Sequence, residues 1–474
     1  MGSPAQVPAI SGRPSLWSLF REAVHGSSRN FTTGPLGQAI FLLAVPMVLE
    51  MAMESVFAVC DVFFVGKLGP DAVATVGFTE SLMTLVYTIG MGLGIGAMAT
   101  VARRIGEQDP EGAAHAAAQA LYIGAATSGV LGVAGALFAP RLLAVMGAAP
   151  TVIATGSTFA RVELGGCGVV IFLFLINSIF RGAGNAAIAM RVLWLANAIN
   201  ILLGPCLIFG LGPFPELGVT GAAVATTIGR GTGAVFALSR LCGGGDGRLR
   251  VSARHFTPDF PAMRRMLAIC ASSIAQLFVG MASWVGLTRI VSGFGSEAVA
   301  GHTIGIRIII FALLPSMGMG NAAATLVGQS LGAGLPQRAE QAVWRAAWYN
   351  FLFLSSTGLL FVFAAEPLVR LFSADQAVIA YGAASLRTIA LGFPCYAYGM
   401  VISQSFNGAG DTRTPTILNL VCFWLFELPL GGLLAYRFGL GPRGVFWAIM
   451  LAFSLFAGAS MILFRRGHWK TKRI

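Results

Sequence analysis

Charge is what this sequence has least of. Asp, Glu, Lys and Arg make up 11% of the 474 residues, against roughly 25% in an ordinary soluble domain. A chain so poor in charge cannot clothe a water-soluble globule. Nor can it build the solvated basic face that nucleic-acid binding requires, despite a net charge of +12. Disorder is excluded as well, because 56% of the residues are apolar. The seven cysteines (Cys60, Cys167, Cys206, Cys242, Cys270, Cys395, Cys422) show no CxxC spacing, and there are only five histidines. Disulfide frameworks and metal sites lose their usual signature, and no Ser/His/Asp or Cys/His grouping points to catalysis. The glycine-rich run Gly90–Gly96 follows no strand and lacks a Lys-Ser/Thr pair, so it is no phosphate loop. The expectation is therefore not an enzyme, with no cofactor and no nucleic acid as partner.

What is present is apolar length and glycine. Mean hydropathy is +0.77, and Gly numbers 61, as in polytopic membrane proteins whose helices approach closely. A span needs about 20 mostly apolar residues. Twelve such stretches are expected, at 39–66, 72–101, 113–138, 155–180, 186–210, 218–240, 266–292, 298–328, 340–364, 378–405, 414–436 and 442–464. Turn chemistry such as Asp109-Pro110, Gly212-Pro213 and Gly441-Pro442 separates them. Residues 1–38 lack the apolar core of a secretory signal and read as a cytoplasmic tail. With twelve spans, the tails and the loops beside them hold 21 of the 31 Lys and Arg, and the opposite loops five. Basic residues favour the cytoplasm, so both termini are expected there, in a multi-pass protein of the plasma (inner) membrane.

The two halves repeat. At an offset of 226, Met91-Gly92-Leu93-Gly94 falls on Met317-Gly318-Met319-Gly320, Arg181-Gly182-Ala183-Gly184 on Asn407-Gly408-Ala409-Gly410, Gly218-Val219 on Gly444-Val445, and Pro110 on Pro336. Six spans per half is an even number, so both halves cross in the same direction and are related by an axis along the membrane normal. The expected organisation is a tail at 1–38, a first lobe at 39–241, a cytoplasmic linker at 242–261, a second lobe at 262–466 and a tail at 467–474. Two parallel lobes around a cleft suit alternating access.

Six carboxylates sit inside the expected spans: Glu50, Glu54, Asp61, Glu80, Glu163 and Glu427. An ionised carboxylate at mid-bilayer costs roughly 2.5–3.5 kcal/mol on insertion scales. Each must face a cavity, find a partner or take up a proton. Glu50, Glu54 and Asp61 share the first span, and at 100° per residue they fall on one narrow stripe. Burial disfavours the charged form of an acid, which makes such groups proton carriers; with added amide or hydroxyl oxygens they can instead hold Na⁺. Asn177, Asn197, Asn200, Thr226 and Thr227 can supply those oxygens. Pro46 lies one turn before Glu50, where the missing N–H lets a helix bend. With no ATP-binding motif, energy must come from an ion gradient or from a partner ATPase.

Pro46-Met-Val-Leu-Glu50 followed by Cys60-Asp61-Val-Phe-Phe-Val-Gly66-Lys-Leu-Gly69 resembles the first helix of the multidrug and toxic compound extrusion (MATE) family. Phe180–Gly184, Gly218–Thr226 and Asn407–Pro415 resemble its later motifs, and the likeness spans about residues 36–466. It implies an all-α, V-shaped, twelve-helix bacterial antiporter. Such a protein exports organic, often cationic, compounds in exchange for H⁺ or Na⁺, as a monomer with membrane lipids around it. It further implies a cation-coupling set of Asp61, Asn200 and Thr226 with Glu50 and Glu54, helix bending at Pro46, and a substrate contact at Asn177. Asn197, Gln276, Tyr396 and Glu427 extend the expected substrate cavity, and Na⁺, the one metal to consider, would sit at Asp61, Asn200 and Thr226. Gly204 stands where many members carry an Asp, which weakens the sodium site and favours protons. In the second lobe Gln276, Gly280 and Tyr396 replace acids of other members, leaving Glu427 as a substrate contact or the partner of an in-span arginine. A lipid-linked precursor flippase of related fold is the alternative; its pyrophosphate would favour a more basic cleft than this acidic stripe offers.

Overall fold

In hydrocarbon every backbone N–H and C=O must be satisfied internally, so long apolar runs fold as helices. The computed structural model describes residues 15–27, 29–66, 68, 70–244 and 248–472, leaving aside the side chains of 58, 59, 61, 62, 65, 66, 70, 71 and 73. Among the described residues there is no strand. Helix α1 (Leu16–His25) precedes the bundle, capped by Ser15, whose Oγ accepts from Ser18 N at 3.1 Å. The first lobe is α2 (Leu36–Gly66), α3 (Pro70–Gly106), α4 (Pro110–Val145), α5 (Pro150–Gly165) with α6 (Cys167–Gly182), α7 (Ala186–Phe209) and α8 (Val219–Gly243). The second is α9 (Phe260–Val291), α10 (Ser296–Gly332), α11 (Pro336–Arg370), α12 (Gln376–Ala390) with α13 (Phe393–Gly408), then α14 (Arg413–Asn419) continuing through π-helical turns and α15 (Leu428–Gly432), and finally α16 (Pro442–Arg465). Counting α5–α6, α12–α13 and α14–α15 as one crossing each gives twelve helices in two lobes. Proline opens α4, α5, α11 and α16, where its missing N–H costs nothing.

Several details depart from uniform spans. Ten stretches are long and apolar enough to cross a membrane, and the α12–α13 pair, bent by 60°, makes an eleventh. The remaining one, α8, is 25 residues long and carries Arg230 and Arg240. Residues Leu420–Glu427 and Leu433–Arg437 are π-helical. Helix α2 runs through Pro46 without interruption.

The repeat is visible in the backbone. Gly184 and Gly410 take φ of 82° and 80°, and Gln108 and Gly334 take 59° and 71°. One match shifts: Gly218 (φ 55°, ψ −136°) is mirrored by Gly441 (φ 57°, ψ −144°), not by Gly444. Gly444 instead mirrors Gly221, each pressed on the backbone of the preceding helix at Leu434–Ala435 and Leu207–Ile208 respectively. The offset falls from 226 to 223 because the loop after the fifth crossing is shorter in the second lobe, 438–440 against 210–217.

The lobes meet along α3, α9, α10 and α2. A Cβ on Gly92 would strike Ile274, and one on Gly318 would strike Met47 and Val48. A Cβ on Gly106 would strike the Gln329 carbonyl, and one on Gly332 the Arg103 carbonyl. These exchange-symmetric pairs put the two-fold axis between the ends of α3 and α10. At the same end Gln329 Nε2 donates to Gly182 O (2.9 Å) and Thr325 Oγ1 to Arg181 O (3.2 Å). The linker is tied there too. Gln119 Nε2 and Tyr122 OH donate to Thr257 O and Phe256 O, each at 2.8 Å. Asp259 caps α9, and the Ala262 backbone N–H holds its carboxyl below the ordinary value. The lobes are thus sealed together at the end that carries both tails.

Candidate functional site

The acids of α2 point into the first lobe, each toward an arginine. Glu50 is 1% exposed. Its Oε1 accepts from Arg181 Nη1 at 3.0 Å and from Asn177 Nδ2 at 3.5 Å, both on α6. Arg181 also donates to Ser178 Oγ at 2.8 Å. Among the described residues Glu50 Oε2, Arg181 Nε and Asn177 Oδ1 have no hydrogen-bond partner. A half-satisfied buried network of this kind is expensive, and is the sort of element that can rearrange. Asn177 and Arg181 lie one turn apart on α6, so one helix face presents both to Glu50.

One turn along α2, Glu54 meets different partners. Asn197 Nδ2 of α7 donates to Glu54 Oε2 at 3.1 Å, and Arg230 of α8 lies 3.5 Å from Oε1. Arg230 donates to Tyr87 OH at 2.9 Å, and its guanidinium sits over the rings of Tyr87 (5.2 Å) and Phe57 (5.4 Å). Such stacking lowers the cost of burying the cation. The Glu54 side chain is 26% exposed against 2% for Glu50, so Glu54 is the more accessible of the two. Beside it lies a cavity of about 40 Å³, enough for a water or two. Its lining brings Thr226 and Arg230 together with Glu80, Tyr87 and Glu163. Asn200 Nδ2 donates to Thr226 Oγ1 at 2.8 Å, and a Cβ on Gly204 would lie 3.9 Å from Asn200 Oδ1.

Most of the expected first-lobe residues therefore gather, in two adjoining sets: Glu50 with Asn177, and Glu54 with Asn197 beside Asn200–Thr226. Asn177 and Asn197, expected in a substrate cavity, are hydrogen-bonded to the acids. The Asp61 side chain lies outside the described residues. Three contributors were not among the expected site residues. Arg181, assigned by sequence to a loop, is buried in the last turn of α6. Tyr87 and Arg230 form the floor under Glu54. The signal for Arg181 was its spacing of four from Asn177.

The second lobe is assembled differently. Gln276 Nε2 lies 3.5 Å from Ser403 Oγ, and the Gln276 backbone carbonyl accepts from Asn419 Nδ2 at 3.1 Å. Tyr396 stacks on Phe453 with ring centroids 4.0 Å apart. Glu427, 3% exposed, makes no hydrogen bond or ion pair among the described residues. It is not the partner of an in-span arginine, because the arginines of the helices packed around it lie at their ends. Among the described residues Gln276 and Glu427 share no hydrogen bond. An apolar groove of about 500 Å³ runs between α9 and α10, lined by Trp284, Val285, Thr288, Arg289 and the buried His302 among others.

The two-lobed bundle with acids facing inward is that of a known transporter family. The MatE family model matches residues 46–206 and 268–433. The chain belongs to the MatE family. It is a membrane transporter and not an enzyme. Curated MatE relatives align over nearly its whole length. A probable multidrug resistance protein NorM of Thermotoga maritima is 26% identical over 437 residues, covering 91% of this chain and 93% of the relative. A FAD transporter of Shewanella oneidensis is also 26% identical, covering 92% and 95%. Among solved structures, the crystal structure of MATE in the straight conformation superposes with a TM-score of 0.87 at 26% identity, covering 92% of this chain and 97% of that one. MATE in the bent conformation gives 0.85 at 25%, covering 94% and 97%.

Proposed function

We propose that this MatE transporter is a secondary antiporter that exports organic, cationic or amphiphilic compounds, drugs and toxins among them, in exchange for protons. The observation that carries the reading is the Glu54–Arg230 contact. It is a partly exposed carboxylate, held by a cation that has a second partner ready in Tyr87. Protonating Glu54 removes its charge and leaves Arg230 on Tyr87 and the two rings. The contacts that hold α2 against α7 and α8 then weaken. The change reaches Glu50 one turn away, whose partner Arg181 carries the backbone carbonyl that receives Thr325 from the other lobe. Proton loading thereby bears on the seal at the tail end, which is what alternating access needs. Pro46 lets α2 bend as this happens, and MATE neighbours solved in a straight and a bent conformation support a two-state cycle. Na⁺ is the second coupling ion to consider, at Asp61, Asn200 and Thr226; Gly204 leaves Asn200 without a neighbouring carboxylate at that position. The relatives named for multidrug resistance support the organic substrate class. A lipid-linked precursor remains the alternative cargo.

The test is export of a fluorescent organic cation from proteoliposomes under proton and sodium gradients imposed separately. Wild type should respond to the proton gradient, and Glu54→Gln should lose that response. Export driven by sodium alone, or unchanged in Glu54→Gln, would remove proton coupling. Competition by FAD without competition by the cation would replace the substrate class, in line with the FAD transporter among the relatives.

A further inference from the structure

Each lobe contains one tryptophan that ties its fifth crossing to its first. Trp194 Nε1 on α7 donates to Leu49 O at 3.1 Å, and Trp424 Nε1 donates to Val279 O of α9 at 2.9 Å. The two donors and the two acceptors are separated by the same interval along the chain. That interval is 230, one helical turn past the 226 that relates Gly92–Ile274 to Gly318–Val48 and Asn177–Glu50 to Ser403–Gln276. At 226 Glu50 falls on Gln276 and Glu54 on Gly280, so the second lobe has neither acid on its first crossing. Its deep acid, Glu427, stands on its fifth crossing instead.

Glu427 has no counterpart to pair with. It ends a π-helical stretch, a geometry often kept at functional sites because it re-aims side chains. Four kinds of element pack around it: α9, α14, α15 and α16. The charged groups of these elements are Arg264, Arg265 and Arg289 on α9, Arg413 on α14, and Arg443 and Arg465 on α16, all in first or last turns; α15 has none. Its titratable neighbours are Tyr396 of α13 and Cys422, five residues earlier on its own element. Tyr396 is itself stacked on Phe453, and Phe423 on Phe456 at 5.2 Å. A phenol, a thiol and phenyl rings do not make the oxygen cage that an alkali cation needs, and among the described residues no cation lies within ion-pair distance. An isolated carboxylate in such surroundings persists by binding a proton.

We propose that Glu427 is a proton-binding site of the second lobe, on its fifth crossing and separate from the Glu50–Glu54 cluster. The site deepens the antiport reading, since its part in the cycle rests on proton coupling, but occupancy by a proton can be read without transport. Infrared difference spectra of the membrane-reconstituted protein, taken across a pH jump without substrate, report protonated carboxyl groups. Wild type should show a protonated-carboxyl band that Glu427→Gln lacks and that Glu427→Asp keeps at a shifted position. Identical spectra in wild type and Glu427→Gln would overturn the proposal, even if the antiport reading survived. In proteoliposomes, protons moved per ethidium exported should fall by one in Glu427→Gln while export itself continues. An unchanged ratio in a protein that does couple to protons would equally overturn it. A wild type without proton coupling would sink the antiport reading alone, leaving the infrared result to decide on Glu427.

Discussion

At the scale of single residues, the two arginines are what make the acids of α2 tolerable, and they are unequal. Arg181 and Glu50 are both nearly sealed, so removing either leaves the other as an uncompensated charge, a loss of about 3–5 kcal/mol for a buried pair. Arg181→Ala should therefore lower the thermal unfolding midpoint in detergent sharply, and adding Glu50→Gln should restore most of it. An Arg181→Ala protein as stable as wild type would show that Glu50 is already neutral, and the pair would not be ionic. The sequence made the acids legible, since a carboxylate inside an apolar run has few innocent explanations. It did not make their partners legible. Arg181 sits beside Gly182-Ala183-Gly184, a run that reads as a turn. Only the depth of α6 shows that the helix holds the arginine inside before the chain turns. Asn197 likewise reads as a lining residue until α7 is seen to aim it at Glu54.

At the scale of helices, backbone proximity decides where the lobes can pivot. Gly106 and Gly332 bring α3 and α10 together so closely that no side chain fits between them. Gly106→Val should prevent the seal at the tail end without touching any acid. Cys270 is a built-in reporter: it is 1% exposed and packs on Gly96 of the other lobe. Maleimide labelling of Cys270 in the detergent-solubilised protein should be slow in wild type and at least several-fold faster in Gly106→Val. Equal rates would mean that the seal does not depend on this crossing. The helices themselves were legible from their apolar length and their proline starts. The π-helical turns after α14 and the 60° bend between α12 and α13 were not, because both arise from packing between helices and leave no distinct mark in composition. The glycine offset misplaced Gly218 by three residues because the loop that follows the fifth crossing is shorter in the second lobe. α8 was legible as the expected span 218–240, although its glycines, threonines and arginines dilute its apolar character.

At the scale of the whole molecule, sealing at one end means that any access to the cleft is from the other. Which side of the membrane that is depends on the placement of the tails. Basic residues concentrate in the tails and the loops near them, and cations are retained on the cytoplasmic side. The linker between the lobes belongs to the same end, tied to α4 through Gln119 and Tyr122. We therefore expect the tails, the linker and the sealed end in the cytoplasm, and an outward-facing cleft in this conformation. Native Cys242, exposed at the end of α8, tests this without any engineered label. A membrane-impermeant maleimide added to intact cells should leave Cys242 unmodified, and the same reagent added to inverted vesicles should modify it. The opposite pattern would invert the whole assignment: the cleft would face the cytoplasm, and Glu54 would load its proton from the inside. Alternating access permits export with either placement of the tails, because both states occur in one cycle; the labelling decides which of the two states this conformation is, and the imposed gradients decide the direction of transport.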